Sequence, residues 1–179
     1  MIFVIVGSQR FQFNRLLEKI DDLVNKGVIH EREIFAQIGH SSYLPKHYSY
    51  MHFIDTKRYL ELINKSELII THGGASAIIS SLKLNKKVIS VPRLAKYNEH
   101  VDDHQKEIVN QLRSLNLIYG IDDVNELENA LENINDHKFD VPTFSNKLLV
   151  DVVEEDLSTC ECRLKVGFLK KIVRFFGGG

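Results

Sequence analysis

A pair of glycines, Gly73–Gly74, separates a short apolar run from an amphipathic segment. The apolar run Leu68–Ile70 stops at Thr71 and His72, so the order predicts a strand, a tight turn and the start of a helix. Glycine has no Cβ, and the first amides of a helix lack partners inside it and lie at the positive end of its dipole. Two glycines alone need only make a turn. With His72 before them and Ser76 after them, the segment is typical of a site for an anion, most often a phosphate.

A second group of polar side chains follows a predicted strand at 88–91. It comprises Arg93, Glu99, His100, Asp102, Asp103, His104 and Gln105. Recognition of a sugar or ribose needs carboxylate, amide and imidazole groups at this density, because such ligands present many hydroxyls. The alternative is a solvated loop with a helix cap at Asp102 or Asp103. His100 and His104 have a spacing that metal ligands often show, but a loop–helix boundary separates them, and no metal site is predicted.

The remaining chain alternates apolar runs with amphipathic segments. Strands are predicted at 2–6, 34–38, 51–54, 68–70, 88–91 and 117–121. Helices are predicted from a cap at Asn14 to Gly27, over 56–65, from the glycine pair to about Asn85, from about Asp103, and from a capping box of Asp123 and Glu126 to about Ile134. This alternation predicts an α/β fold, a Rossmann-like parallel sheet with helices on both faces.

Ligands of such sheets lie beyond the carboxyl ends of the strands. The unusual polar residues and glycines of this chain follow predicted strands: Gly7-Ser8-Gln9, Gly39-His40, Asp55, His72-Gly73-Gly74 and Pro92-Arg93. Because parallel strands bring these ends to one edge of the sheet, the sequence predicts a single shared site there.

Bulk composition excludes several classes of protein. The 179 residues are 44% hydrophobic and 26% charged, which is ordinary for a globular domain, and the net charge of −1 argues against general nucleic-acid binding. Cys160 and Cys162 are too close for an ordinary structural disulfide and lack further ligands for a zinc site, so free thiols are expected. With no basic leader at the start and no apolar stretch of membrane-spanning length, the chain is expected to be cytoplasmic.

Two domains are predicted, a ligand-binding domain at 1–135 and a C-terminal arm at 136–179. The arm contains an amphipathic segment, 164–176, with Leu164, Phe168, Ile172 and Phe175 on one side and Lys170, Lys171 and Arg174 opposite. This segment could lie on an anionic membrane surface or dock on a partner protein, and the pattern leaves both open.

Five motifs in order resemble the PssE-like family of bacterial exopolysaccharide and capsule glycosyltransferase subunits. They are the glycine turn of 6–13, the segment 35–40, Thr71–Gly74, Val91–Arg93 and Glu99–Gln105. That family is similar to the C-terminal domain of family 28 glycosyltransferases and to the small catalytic subunit of the eukaryotic transferase that adds the second GlcNAc to lipid-linked chitobiose. The resemblance covers about residues 1–135.

The resemblance implies half of a GT-B enzyme. Such a subunit binds a UDP-sugar, here UDP-galactose or UDP-glucose, and transfers the sugar with inversion to a lipid-linked saccharide acceptor, without metal or cofactor. A membrane-associated, PssD-like partner would complete the cleft as a heterodimer and hold this chain at the inner face of the membrane.

The resemblance also assigns residues to parts of the donor. The implied diphosphate contacts are Gly73, Gly74, Ala75 and Ser76, and the implied sugar contacts are Asp103, His104 and Gln105. Arg93 to His100 would face the nucleoside or the partner, and Gly7, Ser8 and Gln9, with Gly39, would line the opposite wall. The candidate catalytic bases are His72, Glu99 and His104, although the partner subunit could supply the base instead.

Two other functions compete with catalysis by this chain. Related peptidoglycan transferases carry a ribose-binding Glu one turn into the helix, where this chain has Ser80. That departure favours a non-catalytic subunit that binds the partner and enhances its activity, whereas His72 and the segment 103–105 favour donor binding. A dinucleotide-binding module should show Gly-x-Gly-x-x-Gly after the first strand, and the chain has a single glycine there, Gly7.

Overall fold

Six strands form one parallel sheet in residues Met1–Pro142, the part of the chain that the computed structural model describes. They are β1 (Ile2–Ile5), β2 (Ile34–Gln37), β3 (Ser49–Met51), β4 (Leu68–Thr71), β5 (Lys87–Ser90) and β6 (Tyr119–Gly120). Their order across the sheet is β3-β2-β1-β4-β5-β6, and every neighbouring pair is parallel. The predicted Rossmann-like sheet is confirmed.

Helices cover both faces of this sheet. They are α1 (Asn14–Asn25), α2 (Thr56–Lys65), α3 (Ala75–Lys83), α4 (His104–Ser114) and α5 (Leu127–Asn133). Val4 and Val6 belong to one core cluster with the apolar residues of α1 and α5. Successive strand residues point to opposite faces, and Phe3 accordingly packs edge-on against Tyr59 of α2, with the ring centroids 5.9 Å apart.

Two local predictions are wrong. Asn14 does not cap α1: it is the first helical residue, and its side-chain oxygen accepts hydrogen bonds from the amides of Ser42 and Tyr43 instead. The strand predicted at 51–54 lies earlier, at 49–51, because β3 takes its register from β2. The residues after it lead directly into α2, which Asp55 caps by accepting the Arg58 amide at 3.0 Å.

Two other local predictions are confirmed. Asn85 follows α3 in the left-handed conformation, with φ of 52°. Asp123 and Glu126 form the predicted capping box. Residues Met1–Asp140 make one compact unit, in which Asn116 binds the Lys138 carbonyl oxygen and the Asp140 amide.

The chain order reverses between β1 and β4, which are neighbours at the centre of the sheet. From β1 the chain first builds outward through β2 and β3, and then returns to add β4, β5 and β6 on the other side. Such a reversal leaves a crevice at the carboxyl ends of the two central strands, where ligands of this fold class bind.

The described residues end within the predicted C-terminal arm, at Pro142. The predicted arm lies outside the described residues from 143 onward, and with it Cys160, Cys162 and the amphipathic segment 164–176. Within residues 1–142, no helix combines the length and the apolar character needed to cross a bilayer.

A buried carboxylate, Asp21, fastens the segment after β2 to α1. Its oxygens accept hydrogen bonds from the Tyr43 hydroxyl at 2.7 Å and from the amides of Lys46 and His47. Burial raises the pKa of Asp21, but these donors outweigh it, so the pKa lies below its ordinary value of 3.8. Burial and the neighbouring carboxylate raise the pKa of Tyr43 to about 12.

We expect Asp21→Asn to lower the free energy of unfolding by about 1–3 kcal/mol at pH 7, because an amide nitrogen would replace one acceptor. A depressed folded-state pKa means that the ionised group stabilises the fold above its unfolded pKa and that this stabilisation is lost as the pH falls through the folded-state value. The loss in Asp21→Asn should therefore shrink below about pH 4. Urea unfolding at several pH values measures both effects.

The matched control is Asp22→Asn, because Asp22 is 44% exposed and pairs with Lys26 on the helix surface. Its cost should be about 0.5 kcal/mol or less. An equal cost for the two variants, or a cost at Asp21 that does not change with pH, would contradict this account of the buried carboxylate.

Candidate functional site

The imidazole of His72 lies between two glycines at the central crevice. A Cβ placed on Gly7 would come within 2.7 Å of His72 Nε2, and one placed on Gly74 within 2.5 Å. Gly7 also has φ of 82°, which side-chain-bearing residues rarely adopt. The turns after β1 and β4 therefore close on the ring from two sides, and both need glycine.

Hydrogen bonds to the end of β1 fix the orientation of this ring. His72 Nδ1 donates to the Ile5 carbonyl oxygen at 3.0 Å and lies 3.2 Å from Thr71 Oγ1, which itself donates to Ile5 at 3.1 Å. Because a carbonyl oxygen only accepts, Nδ1 carries a proton. The ring is 8% exposed.

Gly39 extends the same close packing to the end of β2. A Cβ on this residue would overlap the Gly7 carbonyl oxygen, and its φ is 55°. Beside it, His40 Nδ1 donates to the Gln9 carbonyl oxygen at 3.0 Å. In the turn after β1, Ser8 is exposed and Gln9 is partly buried.

The helix α3 begins at the crevice. Gly74 is its N-cap, and the first residues of the helix are Ala75 and Ser76. The Ala77 amide donates to the Gly74 carbonyl oxygen at 3.1 Å. The amides of Ala75 and Ser76 come too early in the helix to have an acceptor within it. Gly73, with φ of 81°, lies against Val109 and Gln105 of α4, so a side chain at this position would be both strained and crowded.

Arg93 differs most from its expected place. Its side chain is fully buried, and Nη2 donates to the carbonyl oxygens of Val6 and Phe11, the latter at 3.0 Å. The guanidinium lies 5.7 Å from the centre of the Phe13 ring. Burial lowers its pKa to about 10, and the charge of Glu99 opposes that shift. Arg93 therefore holds the turn after β1 in place, and its charged guanidinium lies in the interior rather than on a surface that a ligand could contact.

Glu99 also lies in the interior, with its side chain 1% exposed. One carboxylate oxygen accepts from Arg15 Nε at 2.7 Å, and the other accepts from the Leu94 amide at 3.0 Å. A carboxylate held by a guanidinium and a main-chain amide is poorly placed to remove a proton from a substrate. The geometry argues against Glu99 as the catalytic base.

The segment 100–105 turns into α4 and brings its polar groups together. Asp102 Oδ1 accepts from His100 Nδ1 at 2.9 Å and from the His104 amide at 3.1 Å. Asp103 Oδ1 accepts from the Ala95 amide at 2.8 Å, and Gln105 Oε1 accepts from the Arg93 amide at 3.2 Å. Since Gln105 also lies against Gly73, the segment is joined to the glycine turn.

Within this segment, the imidazole of His104 has a buried nitrogen without a hydrogen-bond partner in the described part of the chain. Its Nδ1 lies 3.4 Å from Glu107 Oε2, and its Nε2 is buried with no hydrogen-bond partner among residues 1–142. His100 instead packs its ring against Phe11, with the centroids 5.2 Å apart. Within the same residues, no group of His, Cys, Asp and Glu side chains is arranged to hold a metal ion.

The structure thus brings most of the predicted site residues to one edge of the sheet. The strands that precede them, β2, β1, β4 and β5, are consecutive neighbours. Sequence reasoning missed Arg15 and the exposed ring of Phe53, whose centroid lies 5.0 Å from that of His40. The strand predicted at 51–54 included Phe53, whereas β3 ends at Met51, and Arg15 lies 84 residues from Glu99 and gave no signal.

Ser80 occupies the helical position noted in the sequence. Its hydroxyl donates to the Ser76 carbonyl oxygen one turn earlier, at 2.6 Å. The side chain therefore completes a bond inside α3, and no carboxylate replaces it at this position.

Comparison with known proteins agrees with the fold. The family described as glycosyltransferase family 28 C-terminal domain matches residues 1–148. The UDP-N-acetylglucosamine transferase subunit ALG13 of Candida albicans is 34% identical over 79 residues, which are 43% of this chain and 26% of that protein. The match thus spans about a quarter of the curated relative.

A solved structure supports the architecture alone. The crystal structure of the glycotransferase of kitacinnamycin superposes with a TM-score of 0.56, at 15% identity, over 87% of this chain and 37% of that one. At this identity the likeness concerns the GT-B type of fold. The family match covers most of the chain and includes every strand described above, and the chain therefore belongs to the glycosyltransferase family 28 C-terminal domain family.

Proposed function

We propose that this chain is the donor-binding subunit of a two-component glycosyltransferase and that the crevice between β1 and β4 binds the diphosphate of a UDP-sugar. The observation that carries the proposal is the His72 ring enclosed by Gly7 and Gly74 at the start of α3. A small, positively polarised niche of main chain and imidazole suits a phosphate better than it suits an apolar ligand.

Two kinds of group would hold the diphosphate. The amides of Ala75 and Ser76, at the N-terminus of α3, supply donors without adding side chains. His72 keeps one proton on Nδ1 for the Ile5 carbonyl oxygen, so any second proton resides on Nε2 and gives the ring a positive charge. Both groups would stabilise the negative charge that UDP gains as it leaves.

The proposed reaction is direct displacement at the anomeric carbon of the sugar, with inversion. A base removes the proton of the acceptor hydroxyl as the bond to the UDP oxygen breaks. Of the three candidates in this chain, we favour His104, because the carboxylate of Glu99 is committed to Arg15 and Leu94 and a His72 ring charged to hold the diphosphate has no free lone pair. The partner subunit is the other possible source of the base.

The donor sugar, acceptor and partner rest on resemblance. UDP-galactose and UDP-glucose are the donors we propose, and the name of the curated relative adds UDP-N-acetylglucosamine to the set to test. The proposed acceptor is a lipid-linked saccharide of exopolysaccharide or capsule synthesis. It would be presented by a membrane-associated, PssD-like subunit, which would hold this chain at the inner face of the membrane.

One observation favours a second function, that of a non-catalytic subunit. The Ser80 hydroxyl donates to the Ser76 carbonyl oxygen within α3, and the site has no carboxylate at that position to bind a ribose. Such a subunit would bind the partner and raise its activity without contacting the donor. Measurement of donor binding separates the two functions directly.

We expect the purified chain, in EDTA, to bind UDP and one UDP-sugar more tightly than NADH. Calorimetric titration with UDP, UDP-galactose, UDP-glucose and UDP-N-acetylglucosamine measures this, and an affinity between about 1 mM and 1 μM would correspond to about −4 to −8 kcal/mol. Binding that survives EDTA would also support a site without a metal ion.

If none of the nucleotides binds, the same titration is repeated on the chain co-expressed with its partner. Binding that appears only in the pair would support a site completed by the partner. Absence of binding in an active pair would contradict the donor-binding proposal and favour the non-catalytic subunit.

The variant Gly74→Ala should abolish UDP binding. Residue 74 has φ of −72°, which alanine tolerates, so the defect would come from the new methyl group displacing the His72 ring. Gly27→Ala is the control: its φ is 76° and a Cβ there would meet nothing within 4 Å. That variant should lose about 1 kcal/mol of stability yet keep the UDP affinity of the parent. Unchanged UDP binding by a folded Gly74→Ala protein would place the phosphate elsewhere.

A further inference from the structure

The two walls of the proposed donor site are joined by side chains that cross between distant parts of the sequence. One wall is the turn after β1, residues 7–13, and the other is the loop that follows β5, residues 93–103. Gln12 Nε2 donates to the Tyr97 carbonyl oxygen at 3.1 Å, and Arg93 reaches back to the carbonyl oxygens of Val6 and Phe11. Both contacts cross from one wall to the other.

Arg15, in the first turn of α1, makes the strongest of these connections. Its Nε donates to Glu99 Oε1 at 2.7 Å, and its Nη2 donates to the Pro92 carbonyl oxygen, also at 2.7 Å. The guanidinium lies 5.0 Å from the ring centres of both Phe13 and Tyr97. One side chain thus contacts Pro92 just before the loop, Glu99 within it and the aromatic Tyr97 between them.

Glu99 connects Arg15 to the main chain of the loop. Its second oxygen accepts from the Leu94 amide, and the next amide, that of Ala95, bonds to Asp103. Asp103 precedes His104 and Gln105 at the start of α4. The position of these proposed sugar contacts therefore depends on a chain of contacts that begins at Arg15.

We infer that Arg15 and Glu99 form a positioning pair, which sets the loop 93–103 against the turn after β1 and so fixes the width of the donor site. The inference rests on the proposed function, and neither residue touches the donor in it. Arg15 makes its two bonds through a rigid planar fork and stacks on rings, which a lysine cannot reproduce. Glu99 supplies the acceptor for Nε and Pro92 the acceptor for Nη2, while Nη1 is buried with no hydrogen-bond partner among residues 1–142.

The alternative is that the pair only stabilises the fold. A purely structural pair would lower the free energy of unfolding but leave the donor affinity of the folded molecules unchanged. A positioning pair changes the affinity of molecules that are still folded, because displaced binding groups lose contacts with the ligand. The test therefore measures affinity and stability separately.

The experiment compares the full-length parent with Arg15→Gln, Arg15→Lys, Glu99→Gln and the double variant Arg15→Gln/Glu99→Gln. Titration with UDP and with the UDP-sugar that the parent binds best gives dissociation constants, at a temperature where urea unfolding shows each variant to be folded. We expect each Gln variant to weaken UDP-sugar binding about tenfold or more, with Arg15→Lys between parent and Gln. The double variant should be little worse than either single one, because the pair acts as a unit.

Lys19→Gln provides the matched control. Lys19 lies on the same helix, its side chain is 15% exposed against 16% for Arg15, and it pairs with Glu128 at 3.8 Å, away from the loop. This variant removes a comparable cation from α1 and should bind UDP-sugar like the parent. An equal loss in Lys19→Gln would show that the effect is a general one of α1.

The outcomes for the pair and for the proposed function are distinct. A parent chain that binds no nucleotide, alone or with its partner, contradicts the proposed function. A parent that binds, with folded Arg15 and Glu99 variants that bind equally well, leaves that function intact and overturns the positioning role. Weaker binding in the Gln variants with partial recovery in Arg15→Lys supports it.

Discussion

The carboxyl ends of β1, β2 and β4 approach one another so closely that the turns after them have room for one imidazole ring, that of His72, and for no side chain at Gly7, Gly39 or Gly74. Gly7 packs against the His72 ring, and its carbonyl oxygen occupies the position that a Cβ on Gly39 would need. Gly74 packs against the ring from the other side. The ring is held in turn by the Ile5 carbonyl oxygen. Because the order of strands reverses at this point, the crevice exists without any insertion, and the glycines keep it narrow and lined with peptide groups.

The conformation of the loop after β5, residues 93–103, depends on a different constraint, the cost of burying charged side chains. Arg93 is fully buried and Glu99 nearly so, and burial of an unpaired charge is far more costly than burial of a bonded one. The guanidinium of Arg93 donates to two carbonyl oxygens of the opposite wall, and Glu99 is bonded by Arg15 and by main chain. These polar contacts restrict the loop to one arrangement, which apolar packing alone specifies less sharply.

The sequence allowed most of the fold to be predicted because its signals are local. The buried runs of β1 and β4, the glycine turn after β4 and the capping box at Asp123 each depend on neighbouring residues. The errors arose where a distant partner decides. Asn14 has the chemistry of a cap, yet its side-chain oxygen accepts from the amides of Ser42 and Tyr43. The contact between Glu99 and Arg15, 84 residues apart, likewise has no local signal in the sequence. Polar residue types indicate that a site exists, but not which of them face its interior.

The proposed site divides recognition between two kinds of atom. The proposed phosphate end would depend on the amides of α3 and on the His72 ring packed against Gly7 and Gly74, so a side chain added at either glycine would displace that ring and should remove binding of every UDP-sugar together. The proposed sugar end would depend on the side chains of residues 103–105, which the proposed positioning pair of Arg15 and Glu99 would hold in place. Changes there should alter the choice among sugars, because each hydroxyl that loses its partner costs affinity for one sugar and not for another.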